Sequence, residues 1–268
     1  QPNAMGGREV GGLANMLAAH MDIENPQHRQ WVQEFWDSPT ICTEPGLKAI
    51  DLFDSMDQGK AKAAWIMATN PLVSMPNRGK ITPALENCDC AWCSDCVELN
   101  DTLALADVKL PATAWSEKEG TETNSERSIS RQRAFKAAPG EAKNDWQIIC
   151  DVAQKMGYSK GFDSQTPHQI FVEHARLSGV NNFGDRNSHI LTLAGLSLQE
   201  YQRLKPVQWP VNKRYPDGCK RLFTYGRFFT PSGKALFIPL HPELPEQQTC
   251  RDYPLILNSG RIRDQWHT

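Results

Sequence analysis

A glycine pair followed by an arginine is the residue pattern in this chain that best fits anion chemistry. Gly6, Gly7 and Arg8 lie in a glycine-rich stretch, residues 4–12. Glycines permit a tight turn and the close approach of a ligand, and a helix after such a turn directs unpaired N–H groups toward an anion. The planar guanidinium of Arg8 adds a cationic fork that suits a small oxyanion. The alternative, in which Arg8 pairs with Glu9 or another surface acid, stays open.

Short polar side chains end three predicted strands. They are Asn70, then Ser94 with Asp95, and then residues 258–261. Ligands of doubly wound sheets bind beyond the carboxyl ends of the strands, where hydroxyl, amide and carboxylate groups suit the ribose, pyrophosphate and base edges of a nucleotide. The chain has neither a Gly-x-Gly-x-x-Gly nor a Gly-Lys-Ser/Thr phosphate loop, which disfavours an ordinary NAD or ATP site. Because polar residues cap most strands, a purely structural role is the alternative for each.

Four of the eight cysteines are clustered, at Cys88, Cys90, Cys93 and Cys96. Cys-x-x-Cys spacing recurs in zinc and iron–sulfur sites, so a small zinc module is one interpretation. The segment nevertheless lies between apolar runs, places Cys90 and Cys93 on opposite faces of a strand, and lacks the Gly or Pro at which a metal knuckle bends. We therefore favour a buried strand with structural thiols, no metal ligand in this chain, and a reducing cytoplasm.

The elements around these residues predict an α/β fold with a doubly wound, mostly parallel sheet. Residues 63–68 form an apolar run typical of a strand covered on both faces. A helix over 78–86, the cysteine strand over 89–96 and a strand over 108–110 follow. Alternation of strands and helices is typical of this sheet class.

Outside the sheet, the glycine-rich loop is expected to run into a helix over 13–21. An amphipathic helix from Asp145 is expected to bury Trp146, Ile149, Val152 and Met156, with Gly157 as its C-cap. Ser197 and Glu200 predict a capping box. A hairpin is expected over 221–240 and a strand over 253–257.

Length and charge exclude several classes of protein. The chain has 268 residues, with 29 Lys plus Arg against 31 Asp plus Glu, and a net charge of −2. This balance argues against nucleic-acid and membrane partners, and no run approaches the roughly 20 apolar residues of a membrane helix. The sequence begins at Gln1 with no signal peptide in this piece, which leaves a leader in its parent open, and stops at Thr268 inside a motif, so a fragment is expected.

Six motifs, beginning with Gln-Pro-Asn-Ala-Met-Gly-Gly-Arg-Glu-Val-Gly-Gly, carry a family resemblance. They occupy residues 1–12, 106–111, 115–120, 123–127, 138–142 and 259–268. Together they resemble the molybdopterin oxidoreductases that bind two molybdopterin guanine dinucleotides (bis-MGD), and among these the bacterial assimilatory nitrate reductases. The resemblance implies three segments: an α/β domain over 1–160, a helical and hairpin connection over 161–249, and the start of a C-terminal dinucleotide-binding β-barrel over 250–268.

The resemblance also implies a reaction and a site. The parent enzyme would reduce nitrate to nitrite by oxygen-atom transfer at molybdenum, with electrons from a donor protein or reductase subunit passing through a [4Fe–4S] cluster. The ligands of the cluster and of molybdenum match no position here and are expected upstream. Arg8 matches the arginine beside molybdenum that would hold nitrate. Positions that match dinucleotide contacts are Asn70, Ser94, Asp95, Lys118 and Asp145, and, in the loop opening the barrel, Ser259, Gly260, Arg261, Trp266, His267 and Thr268.

Other members of the same family remain alternatives. One is a relative of formate dehydrogenases or periplasmic nitrate reductases, and another is a non-catalytic scaffold that keeps the fold. Retention of Arg8 and of the dinucleotide positions argues against the scaffold.

Overall fold

The structure is a computed structural model that describes residues 3–245 and 248–257. The chain divides into two compact units, one ending at Lys220 and one beginning at Arg221. The helices of the first unit are α1 Ala4–Glu9, α2 Pro26–Trp36, α3 Ala49–Asp57, α4 Pro71–Ser74, α5 Arg78–Glu86, α6 Asp101–Ala104, α7 Asp145–Lys155, α8 Pro167–Ser178 and α9 Leu198–Gln202. Its strands are β1 Met16–Leu17, β2 Met21–Asp22, β3 Ala63–Met67, β4 Cys90–Asp95, β5 Val108–Pro111, β6 Gly120–Thr123, β7 Ser128–Gln132 and β8 Val207–Gln208.

The predicted parallel sheet is confirmed, with strand order β3-β4-β5. Its register pairs Met67 with Ser94 and Ser94 with Leu110. Helices α3 and α5 pack their apolar residues on the face that carries Ile66 and Cys93. This burial holds the three strands in one rigid layer.

The other face of the sheet differs from the prediction that residues 63–68 are covered on both sides. Trp65 and Trp92 lie edge to face there with ring centroids 5.7 Å apart, and both remain partly exposed. Met67 is also exposed. Within the described residues, only one face of this sheet is packed by helices, so the doubly wound arrangement stays a prediction.

The predicted order of loop and helix in residues 4–21 is wrong. The glycine-rich stretch itself forms α1, and residues 13–21 form a turn, β1, a short 3-10 helix over Ala18–His20 and the start of β2. Gly11 has a φ of +77°, and a Cβ there would lie 2.6 Å from the backbone nitrogen of Ala18, so the chain folds back on itself here. Ala19 and His20 also have positive φ, which a continuing α-helix does not allow.

The helical part of the first unit follows its local sequence signals. The predicted C-cap of α7 is confirmed. Gly157 has a left-handed φ of +93°, and the N–H of the next residue, Tyr158, donates to the carbonyl of Ala153. The capping box of Ser197 and Glu200 is confirmed. The predicted apolar face of α7 is wrong, because the residues that it buries are Ile148, Cys150 and Ala153. Trp146, Ile149 and Val152 are only half-buried, and Met156, which follows the last helical residue, is exposed.

The second unit contains no helix or strand in residues 221–245 and 248–257. The predicted hairpin is reduced to a turn, in which Phe228 N–H bonds the Gly233 carbonyl at 2.9 Å. The predicted strand over 253–257 is not formed, because a strand needs a partner and these residues form no ladder with any residue that the structure describes. Ser259, Gly260, Arg261, Trp266, His267 and Thr268 lie outside the described residues. No helix in the described ranges is long and apolar enough to cross a membrane.

Candidate functional site

The carboxyl ends of the three parallel strands lie along one edge of the sheet. The register aligns Ser94 with Met67, and Asp95 with Pro111. Residues that follow these strands are therefore brought to a common edge, as expected for an open parallel sheet. Asn70 and Asp95 both lie on this edge, which we call the polar edge.

Asn70 is held at the polar edge by a buried threonine. The Thr102 hydroxyl donates to Asn70 Oδ1 at 2.7 Å and accepts the Leu72 N–H at 3.3 Å. The Asn70 amide nitrogen forms no hydrogen bond within the described part of the chain. This group is therefore oriented and still able to donate to a ligand.

Asp95 is held by the same short helix, α6. Its Oδ2 accepts from Asn100 Nδ2 at 3.0 Å, while its Oδ1 accepts the Cys96 N–H at 2.7 Å. Asn100 in turn caps α6 by accepting the Leu103 N–H at 2.7 Å. Asn100 and Thr102 thus join Asn70 and Asp95 into one network. Neither residue is among those predicted for the site, although Asn100 has the residue type of a helix N-cap.

Lys118 and Asp145 form the second part of the polar edge. The Lys118 ammonium lies 2.6 Å from an Asp145 carboxylate oxygen, with side chains 32% and 35% exposed. Asp145 lies at this edge because Lys143, two residues before it, forms a parallel β-bridge with Ala112, which directly follows β5. Burial, with the Asp95 charge second, raises the pKa of the Cys96 thiol, and Lys118 opposes this rise. Asp95 pairs with Pro111 at the end of β5, and Ala112 follows at once and bridges to Lys143, so the two parts share one edge.

Ser94 is placed differently. It is buried, and its hydroxyl accepts the Trp65 indole N–H at 2.7 Å on the partly exposed face of the sheet. Its hydroxyl is thus already bonded within the chain. A ligand contact by Ser94 stays a prediction.

The cysteine cluster forms the predicted strand. Cys90 accepts the Trp92 indole N–H at 2.7 Å, whereas Cys93 is fully buried against the helices on the opposite face. Burial raises the pKa of the Cys93 thiol, which favours its uncharged form. Within residues 3–245 and 248–257, no three His, Cys, Asp or Glu side chains are close enough to share a metal ion.

Arg8 lies near the end of α1 and is exposed. It forms no ion pair within the described residues, so the alternative pairing with Glu9 is wrong. Glu9 turns inward instead, where its carboxyl accepts from the Trp209 indole and, at 3.0 Å, from the Thr123 hydroxyl. Burial raises the Glu9 pKa to about 7, although both hydrogen bonds act to lower it. The Arg8 fork is therefore available to an anion.

The glycines of α1 and its exit have two distinct roles. A Cβ on Gly6 would lie 2.0 Å from Asn3 Oδ1, and one on Gly12 would lie 2.7 Å from the Gly7 carbonyl oxygen. Close contacts within the chain therefore leave no room for a side chain at Gly6 or Gly12. A Cβ on Gly7 would meet nothing within 4 Å. The space at the Gly7 α-carbon, beside Arg8, is thus open, whereas its N–H bonds the Asn3 carbonyl and its carbonyl accepts the Gly12 N–H.

We predict opposite effects of alanine at the two neighbouring glycines. Gly7→Ala should raise the free energy of unfolding by up to about 1 kcal/mol, because alanine is the better helix former. Gly6→Ala should lower it by about 1 kcal/mol, since Asn3 must move and lose its 2.8 Å bond from the Thr123 N–H. Urea unfolding followed by circular dichroism measures both. Equal destabilisation by the two variants would contradict this division of roles.

Three comparisons place the chain among known proteins. A family model described as "Molybdopterin oxidoreductase" matches residues 3–155. The whole chain is 47% identical to a nitrate reductase of Klebsiella oxytoca and covers 30% of that protein. It is 33% identical to the assimilatory nitrate reductase catalytic subunit of Bacillus subtilis, of which it covers 37%. It is also 32% identical to the F420-dependent formate dehydrogenase subunit alpha of Methanocaldococcus jannaschii, again covering 37%.

A solved structure supports the fold. Acetylene hydratase from Pelobacter acetylenicus superposes with a TM-score of 0.50 and 24% sequence identity, over 68% of this chain and 23% of that one. At this identity the likeness bears on the fold alone. The chain spans about a third of the length of the curated relatives named above.

Proposed function

Because the chain belongs to the molybdopterin oxidoreductase family, we propose that it is part of a molybdenum-dependent nitrate reductase that converts nitrate to nitrite. The observation that carries this proposal is Arg8, an exposed guanidinium without an acid partner in the described residues, next to open space at the Gly7 α-carbon. A planar guanidinium matches a planar oxyanion through two parallel N–H donors. The 47% identity to a nitrate reductase over the whole chain gives independent support.

The donor set at the polar edge fits a nucleotide-bearing cofactor. Asn70 offers an amide N–H group, Asp95 and Asp145 offer carboxylates for the N–H edge of a guanine, and Lys118 offers a charge for a phosphate. Lys118 lies just before β6, whereas α1 docks on Thr123 at the end of β6. Five residues of extended chain span roughly 16 Å, so a ligand that reaches both has to be extended. A dinucleotide meets this requirement.

The residues of this chain would bind and orient, while the cofactor supplies the redox chemistry. When bound, the molybdenum–pterin group supplies oxygen-atom transfer with two electrons. Arg8 would hold nitrate and compensate the negative charge that grows on its departing oxygen. Two protons complete the conversion of nitrate to nitrite and water.

The finer assignments belong to the same proposal. They comprise the bis-MGD form of the cofactor, a [4Fe–4S] cluster with ligands upstream, an electron-donor protein or subunit, and residues 259–268 wrapping the pterin as the start of a C-terminal barrel. The division into 1–160, 161–249 and 250–268 is part of it too. A cytoplasmic location belongs to the proposal as well.

Formate oxidation is the second candidate function, because a formate dehydrogenase subunit aligns over the whole chain. Formate is also a planar oxyanion that an arginine can hold. The full-length protein, loaded with cofactor, should reduce nitrate with a chemical electron donor and should not oxidise formate with a chemical acceptor. Formate oxidation without nitrate reduction would reverse the assignment. The absence of both activities would favour the non-catalytic scaffold.

We predict that Asp145 matters for nucleotide retention far more than for stability. Asp145→Ala in the full-length protein should reduce the guanine nucleotide released by acid at least several-fold, because a guanine edge loses its acceptor. Its free energy of unfolding should change by less than about 1 kcal/mol, as for other partly exposed ion pairs.

Asp151 provides a matched control on the same helix. It also lies 2.6 Å from a lysine, Lys143, but on the exposed surface. Asp151→Ala should retain the normal nucleotide content. Equal losses in the two variants would indicate a general effect of charge and would remove Asp145 from the site.

A further inference from the structure

Helix α1 has only six residues, Ala4–Glu9, and depends on its anchors. An isolated helix of this length is unstable in water. Both of its ends bond to one residue, Thr123: Asn3 Oδ1 accepts the Thr123 N–H at 2.8 Å, and Glu9 accepts the Thr123 hydroxyl at 3.0 Å. Glu9 also accepts the Trp209 indole N–H. The position of Arg8 is therefore determined by these few bonds.

The anchor at Glu9 is an unpaired buried carboxyl group. Glu9 is 4% exposed and forms no ion pair within the described residues. Among the described residues, Arg8 precedes it on the same helix, and two titratable groups contact its partner Trp209: His20 lies edge-on to the ring, and the Arg127 guanidinium lies 5.2 Å from the ring centroid. None of these offers Glu9 a direct ion pair, and a buried carboxylate without a cation is costly.

We infer that Glu9 is a positioning residue for Arg8, whose neutral carboxyl group docks α1 on Trp209 and Thr123 and whose ionisation loosens that docking. In the neutral form its carbonyl oxygen accepts from Trp209, and its O–H can donate to the Thr123 hydroxyl. The docking of α1 involves residues of this chain alone, whereas its expected effect on nitrate binding by Arg8 rests on the proposed function.

The direction of the pH effect follows from the raised Glu9 pKa, about 7 against an ordinary 4.5. The stabilising contribution of the neutral group is complete below the ordinary value and is lost as the pH rises through about 7. Arg8 should accordingly be better positioned under slightly acidic conditions.

The Trp209 indole N–H resonance tests the docking without any cofactor. In 1H–15N spectra of this chain, with the resonance assigned by its loss in Trp209→Phe, it should titrate with a midpoint near pH 7. Glu9→Gln keeps the same hydrogen bonds in neutral form and should abolish the titration. Glu122→Gln, a neighbouring change on β6, should leave it intact.

A titration that persists in Glu9→Gln would assign it to His20 and overturn the inference, as would an indole resonance insensitive to pH. In the full-length enzyme, the KM for nitrate should rise several-fold between about pH 6 and 8.5, with a smaller change in kcat. Glu9→Gln should flatten this rise. If the enzyme does not reduce nitrate at all, the proposed function fails, whereas the indole titration still decides the role of Glu9.

Discussion

Replacement of Arg8 with alanine in the full-length protein should lower kcat/KM for nitrate by about 100-fold or more. Removal of one preorganised donor from a developing oxyanion costs about 100- to 1,000-fold in other enzymes. Arg8 offers two parallel donors and a charge, and no acid in the described residues competes for them. Steady-state kinetics with a chemical electron donor measure the loss, and cofactor content must be shown to be unchanged.

One further variant separates the planar geometry of the Arg8 guanidinium from its charge, and a second serves as a control. Arg8→Lys keeps the positive charge but loses the bidentate geometry, so its loss should be intermediate. Arg176 is the matched control, because it is also an exposed arginine in the last turn of a helix, α8. Arg176→Ala should retain normal kinetics. Unchanged kinetics in Arg8→Ala would remove Arg8 from the substrate site.

The parallel sheet could be predicted because its determinants are local. The apolar run that forms β3 and the alternating residues of β4 are short segments whose pattern is sufficient to identify a strand, although not to show that one face of β3 stays partly exposed. The polar ends of these strands were predicted for the same reason, since parallel strands place them at one edge. Asn70 and Asp95 lie there as expected.

The docking of α1 could not be predicted because its determinants are far apart in the sequence. Glu9 meets Trp209 across 200 positions and Thr123 across 114. No local pattern connects them, and the Gly6-Gly7 pair favoured a loop on helix propensity. Tertiary bonds to α1 overrode that propensity. Residues 253–257 show the reverse case, in which a local strand pattern finds no partner in the described chain.

Trp209→Ala should cost about 3–5 kcal/mol of the free energy of unfolding, the largest stability effect we expect in the first unit. Trp209 is 2% exposed, and its ring contacts His20 and lies beneath the Arg127 guanidinium. The substitution leaves a cavity and also removes the indole donor from the buried Glu9 carboxyl. Urea unfolding of this chain at about pH 6 measures the loss.

Two comparisons test that the cost arises from the position of Trp209. Trp115 is 60% exposed, so Trp115→Ala should change the free energy of unfolding by no more than about 1 kcal/mol. Trp209→Phe fills most of the volume and removes only the donor, so its cost should be about 1–2 kcal/mol. In the wild-type background, the cost of Trp209→Phe should increase above pH 7, because a hydrogen bond from the indole N–H stabilises an ionised Glu9 carboxylate more than a neutral one. In the Glu9→Gln background, the cost should not change with pH. A pH-independent cost in both backgrounds would show that Trp209 acts through packing alone, and α1 would then owe its position to Thr123.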